Sequence, residues 1–150
     1  VAVTVEKVIK APAEKVFALL SDPKKHSLID GSNTVKESAE TQEPLRLGAK
    51  FKMNMRLGVP YVMINEVVEY EENRKIAWQP RLAGPLGKFI GGRIWKYELE
   101  PTEGGTLVRE TWDVSQDPAR PLLDRPAVYK RVRAAMEKTL ENIEKIVTSE

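Results

Sequence analysis

The chain has 150 residues, 41% of them hydrophobic and 31% charged, enough for one core and too few for two comfortable ones; this excludes a disordered or membrane-embedded chain. The net charge is +2, with basic residues dispersed among acids as in EKVIKAPAEK, so no nucleic-acid footprint is present. The absence of cysteine removes disulfides, thiol nucleophiles and Cys-ligated metals, and fits a reducing, cytoplasmic setting.

The opening VAVTVEKVIK alternates as a first strand does and has no signal-peptide pattern; the missing initiator Met fits processing or trimming. Ala11-Pro12 breaks the strand and starts a short helix over 12–20, with Val16, Phe17, Leu19 and Leu20 at helical spacing. Ser21-Asp22-Pro23 stops that helix and caps a second one over 23–29. The only histidine, His26, lies there beside two lysines and reads as a solvated surface residue.

The middle of the chain is strand-rich. Phe51, Met53 and Met55 alternate with polar residues, the clearest period-two signal in the sequence. After a turn at Gly58-Val59-Pro60, residues 61–71 form a strand whose phase stays open. Val62, Ile64, Val68 and Tyr70 share a face with Glu66, and Tyr61, Met63 and Val67 share the other with Asn65. A bulge or a partly covered outer face would explain it. Ile76, Trp78 and Pro80 alternate next. Residues 82–92 hold four glycines and one proline and read as a mobile loop. Trp95, Tyr97 and Leu99 alternate, Gly104-Gly105 turns the chain, and a last strand covers 106–115.

From Pro126, apolar residues recur in steps of three and four up to Val147, which makes a helix of about 36 Å. No apolar run approaches the roughly 20 residues that span a bilayer, so no stable membrane insertion is expected. The order predicts an α+β domain over 1–150. A curved, six- or seven-stranded antiparallel sheet wraps around a long C-terminal helix, with two short helices after strand 1.

Such a sheet encloses more volume than one helix fills. A cavity of roughly 300–1,000 Å³ is therefore expected, with Met53, Trp78 and Trp95 among its walls and the 82–92 loop as its lip. Glu110 falls on the face of Val108, Trp112 and Val114 if its strand is regular, and is exposed if a bulge intervenes. Inward, it must be paired, wet or raised in pKa, with Tyr97, Tyr129 or Arg93 as possible partners. One histidine rules out two-His or three-His metal sites, and no phosphate-cradling or nucleophile-elbow motif occurs. No catalytic residue, metal or cofactor is assigned.

Three stretches, VEKVIKAPAEKVFALLSDP, INEVVEYEENRKIAW and WKYELEPTEGGTLVRETWDVS, together with the closing RPAVYKRVRAAMEKTLENIEKIV, carry a family likeness. The chain resembles the START-like superfamily, also called SRPBCC or helix-grip proteins, and within it the bacterial polyketide cyclase/dehydrase-like branch. The resemblance implies ligand-facing positions at Phe51, Met53, Met55, Trp78, Trp95, Tyr97, Glu110 and Trp112 on the strands. On the helix it implies Tyr129, Val132 and Met136. It implies binding or carriage of a small hydrophobic molecule, whether lipid, aromatic or polyketide-like. A polyketide cyclase/dehydratase-type enzyme and a protein-interaction module are the alternatives. The His and Asp iron ligands of the ring-hydroxylase branch are missing, as is an evident acid-base pair.

Overall fold

The computed structural model describes residues 2–31, 35–38 and 45–149. Strand β1, Ala2–Ile9, buries Val3, Val5 and Ile9 and exposes the residues between, as its alternation requires. Helix α1, Ala13–Leu20, follows Pro12 at its N-cap and buries Val16, Phe17, Leu19 and Leu20. Asp22 caps the next turn by accepting from the Lys24 N–H at 3.1 Å. A 3₁₀ turn, Pro23–Lys25, then runs into the short α2, His26–Ile29. The expected second helix is thus split between two helical types.

Among the described residues, seven strands form one antiparallel sheet in the order β1-β7-β6-β5-β4-β3-β2. They are β2 (Val35–Ser38), β3 (Lys50–Leu57), β4 (Val59–Glu71), β5 (Lys75–Leu82), β6 (Ile94–Thr102) and β7 (Gly105–Asp113), with β1 closing one edge. Sequence periodicity did not reveal β2. The 58–60 turn is tighter than expected: strand pairing runs to Leu57 opposite Val59, around Gly58 at φ +79°.

The open phase of β4 is settled by a bulge. Val67 faces Trp78 and Glu69 faces Ala77, which leaves Val68 as the extra residue. Met63, Asn65 and Val67 therefore point inward before the bulge. Tyr70 points inward after it and meets Phe17 edge-on at 5.5 Å.

After a short α3, Arg120–Leu123, the long α4 runs from Pro126 to Thr148 and buries Met136, Leu140, Ile143 and Val147. Val132 packs against the core but is only half-buried. Helix α4 lies along β1. Arg133 donates to the Thr4 carbonyl at 3.1 Å and Lys7 meets Glu144 at 3.5 Å, so its N-terminus sits at the start of β1. The Asn142 amide donates to Ile29 O, and the Gly31 N–H donates to Thr139 Oγ1, at 3.1 and 2.8 Å. A Cβ at Gly31 would stand 2.1 Å from Ala135 O, so only glycine lets α2 close on α4 here. That closure holds α2 over the inner face of the sheet. Among the described residues, no helix is long and apolar enough to cross a membrane.

Candidate functional site

The inner face is organised around Trp78. It pairs with Val67 on one side and Trp95 on the other. His26 stacks on it at 4.7 Å between ring centroids and 20° between planes. Phe51 meets both rings edge-on, and Tyr97 lies 5.5 Å from Trp78. A second aromatic row links Trp95 to Trp112 and Trp112 to Tyr129.

Glu110 faces inward and is 1% exposed. Its strand is regular from Gly105 to Asp113, so the bulge that would have exposed it does not occur there. Tyr97, opposite on β6, donates its hydroxyl to Glu110 Oε2 at 2.9 Å. Burial pushes the carboxyl up to about 8. The nearby Asp30 charge adds to this and the Tyr97 bond opposes it. At neutral pH Glu110 is therefore the protonated acid. The same burial, with the carboxyl beside it, holds Tyr97 well above the ordinary phenol range. Of the other expected partners, Arg93 is engaged by Asp117 at 2.9 Å and the Tyr129 hydroxyl donates to Asp124.

His26 corrects the expectation of a surface residue. It is buried, and its ring completes the aromatic cluster. The Leu20 carbonyl, 2.8 Å from Nε2, can only accept, so Nε2 carries the proton. Burial lowers its pKa to about 4, although the Leu20 bond and Asp22 both favour the cation. The ring is thus neutral at pH 7, with a bare lone pair on Nδ1. Pro23, His26 and Ile29, three apart and all buried, form one face of the turn, while Lys24 and Lys25 stay exposed. That spacing was the available signal.

Among the described residues, four buried side-chain atoms have no hydrogen-bond partner: His26 Nδ1, Asn65 Nδ2, Glu110 Oε1 and Trp112 Nε1. Asn65 lies on the inner face beside Val67, the partner of Trp78. They sit on α2, β4 and β7 along the inner face, His26 in the Trp78 cluster and Trp112 in the second aromatic row. With Glu110 protonated, they present three donors and one acceptor.

The other expected site residues divide by burial. Phe51, Met53, Trp78, Tyr97, Trp112 and Met136 are buried, while Met55, Trp95, Tyr129 and Val132 are half-buried. Two surface grooves, of about 310 and 600 Å³, run along charged residues. One follows Glu71, Arg74, Glu98 and Arg109, and the other Thr4, Glu6, Arg133 and Glu137. Neither is the expected cavity, since neither touches Met53, Trp78 or Trp95. Around Trp78 the rings of His26, Phe51 and Tyr97 lie within 6.0 Å of its own. Among the described residues no cluster of His, Asp or Glu could hold a metal ion.

A family model described as "Polyketide cyclase / dehydrase and lipid transport" matches residues 1–148. The chain belongs to this family. An uncharacterized protein of Mycobacterium tuberculosis, Rv0088, is 35% identical over 109 residues, covering 70% of this chain and 44% of that one. The chain thus spans less than half the length of the curated relatives it matches. Among solved structures, protein MLL2253 from Mesorhizobium loti superposes with a TM-score of 0.71 at 22% identity, covering 99% of this chain and 98% of that one. DynU16, a protein in the dynemicin biosynthetic locus, superposes with a TM-score of 0.66 at 14% identity, covering 98% of this chain and 47% of that one. At these identities the structural likenesses establish the helix-grip fold alone.

Proposed function

We propose that the chain binds and carries a small apolar molecule bearing a polar group, held between the inner sheet face, α2 and α4. The observation that carries this reading is the set of unpartnered polar atoms buried along the inner face of an otherwise apolar core. Each unmet buried group costs about 1–3 kcal/mol, and a ligand that bonds to two or more recovers part of that cost. The lipid-transport half of the family description supports an apolar cargo. The half-buried Met55, Trp95, Tyr129 and Val132 lie towards the end of the sheet where β3 meets β4 and β6 begins, and we take that end as the way in. Entry there displaces ring contacts and fills their place with ligand.

Native mass spectrometry of freshly purified protein, followed by titration of the extracted molecule, tests the proposal. The expected result is a co-purifying small molecule that rebinds saturably, several-fold more weakly to Glu110→Gln, with cooperative unfolding retained. A protein that carries nothing and binds no apolar probe saturably would overturn it.

One observation favours a second reading, an enzyme of the cyclase or dehydratase type. A carboxylic acid kept neutral at pH 7 and bonded to a tyrosine can donate a proton to a bound carbonyl or leaving hydroxyl. Here Glu110→Gln abolishes product formation while affinity barely changes. Weakened affinity without any turnover in the parent protein returns the assignment to carriage.

A further inference from the structure

We infer that the end of the grip that carries the 82–92 segment docks reversibly on an anionic lipid surface, through an exposed apolar ring set in a basic collar. This does not depend on what the interior holds. The ring consists of Val59, Leu86, Phe89, Ile90 and Leu122, all exposed, with Val59, Phe89 and Leu122 each more than 60% accessible. They come from three elements that the fold brings to one end. Val59 stands at the tip of the β3–β4 hairpin. The segment after β5 departs from Leu82, opposite Met63 of β4, and is tied back by the Ala83 N–H to the Val62 carbonyl at 3.0 Å. Arg93 then pairs with Asp117, and Gln79 bonds both the Gly92 carbonyl and Gln116, so the run leading into α3 lies alongside.

The segment is a built platform. A 3₁₀ turn, Pro85–Lys88, is closed by the Ile90 N–H on Leu86 O at 3.2 Å. Gly87 is its buried side, where a Cβ would stand 2.4 Å from Leu82 O. With that side turned in, Leu86, Lys88 and Phe89 project outward.

Charge identifies the occupant. Residues 81–93 carry Arg81, Lys88 and Arg93 and no acid. Residues 117–133 carry five basic side chains against Asp117 and Asp124. The whole chain is only +2, so the remainder is net negative and the positive charge is concentrated at this end. Projecting apolar side chains flanked by cations suit the headgroup boundary of an anionic bilayer, which needs no groove and no shape complementarity.

The test is co-sedimentation of the whole protein with vesicles of mixed phosphatidylglycerol and phosphatidylcholine, against phosphatidylcholine alone. The protein is expected to bind the anionic vesicles and not the neutral ones, and to release at high salt. Leu86→Ser with Phe89→Ser should weaken binding by about tenfold or more, and so should Lys88→Glu with Arg120→Glu. The unfolding midpoints should match the parent, since all four side chains are exposed; the single Phe89→Ser is the fallback should a double variant misfold. No binding to anionic vesicles, or binding unchanged by both pairs, would overturn the inference. A dimer in gel filtration that Phe89→Ser disperses would also overturn it and assign the ring to a second copy. Ligand retention in these variants, read by native mass spectrometry, is expected to be unchanged, which separates this failure from failure of the carriage reading.

Discussion

Arg109 and Glu110 are neighbours on β7, and one step of the pleat puts them in different solvents. Arg109 reaches Glu6 across the outer face at 2.7 Å, where both side chains remain partly exposed to water. Glu110 turns inward, meets one hydroxyl and keeps its proton at neutral pH. On the outer face a charge is solvated whether or not it finds a partner. On the inner face water is gone, so each polar atom is bonded, neutral or costly. The outer face can therefore lose its pairs quietly, while any change on the inner face should register in stability, titration or binding.

Trp78 is where that contrast should be largest. It is buried and touches His26, Phe51 and Tyr97. Trp78→Ala empties the middle of the cluster and is expected to cost about 3–5 kcal/mol, measured by urea unfolding. A loss below about 1 kcal/mol would mean that the rings around Trp78 do not hold the fold, and the contrast between the faces would break.

Titration separates the two inner groups. Glu110 has its pKa raised from 4.5 to about 8, so its contribution is fully present below pH 4.5 and is lost as pH rises towards 8. His26 has its pKa lowered from 6.5 to about 4, so its contribution is present above pH 6.5 and is lost as pH falls through 4. The opposed slopes overlap between pH 4.5 and 6.5, where stability should be nearly flat. Between pH 6.5 and 8 only Glu110 acts, and stability should fall by up to about 1.4 kcal/mol per pH unit. Glu110→Gln should abolish that fall. His26→Phe keeps an aromatic ring on Trp78 and should turn the flat stretch into a gain in stability as pH falls from 6.5 to 4.5. Unfolding curves from pH 4 to 8 check both, and an alkaline fall that persists in Glu110→Gln would remove Glu110 as its source.

These residues were unequally legible in the sequence. Phe51, Met53, Trp78, Tyr97 and Trp112 lie on strands whose period of two points to the inward face, whereas Glu110 stayed open because a one-residue bulge would have exposed it. Asn65 was ambiguous because β4 contains a bulge, and one extra residue at Val68 swaps the faces beyond it. His26 was misread because its turn covers little more than six residues. Its spacing of three is drowned by two flanking lysines and by Leu28, which is exposed despite being apolar. β2 pairs with β3 over only four residues, too few for a periodic signal. The interior itself depends on how far α2 closes over Trp78, a tertiary distance set by Gly31 against α4 that no local pattern encodes.

The smallest expected effect belongs to the outer face. Arg109 and Glu6 make the shortest ion pair in the described structure, bonded through both Nε and Nη2 at 2.7 Å. By distance alone it should outrank the Tyr97–Glu110 bond at 2.9 Å. Solvent reverses the order: water competes for both charges, holding two long side chains in one geometry costs entropy, and salt screens what is left. Glu6→Gln should therefore leave the unfolding midpoint almost unchanged between pH 5 and 8, and raising the salt should make even that small difference vanish. Tyr97→Phe, which deletes only the hydroxyl, strips Glu110 Oε2 of its partner in a site that water does not reach, and should lower stability measurably at every salt concentration. A larger loss in Glu6→Gln than in Tyr97→Phe would mean that bond length, and not the medium, ranks interactions on β7.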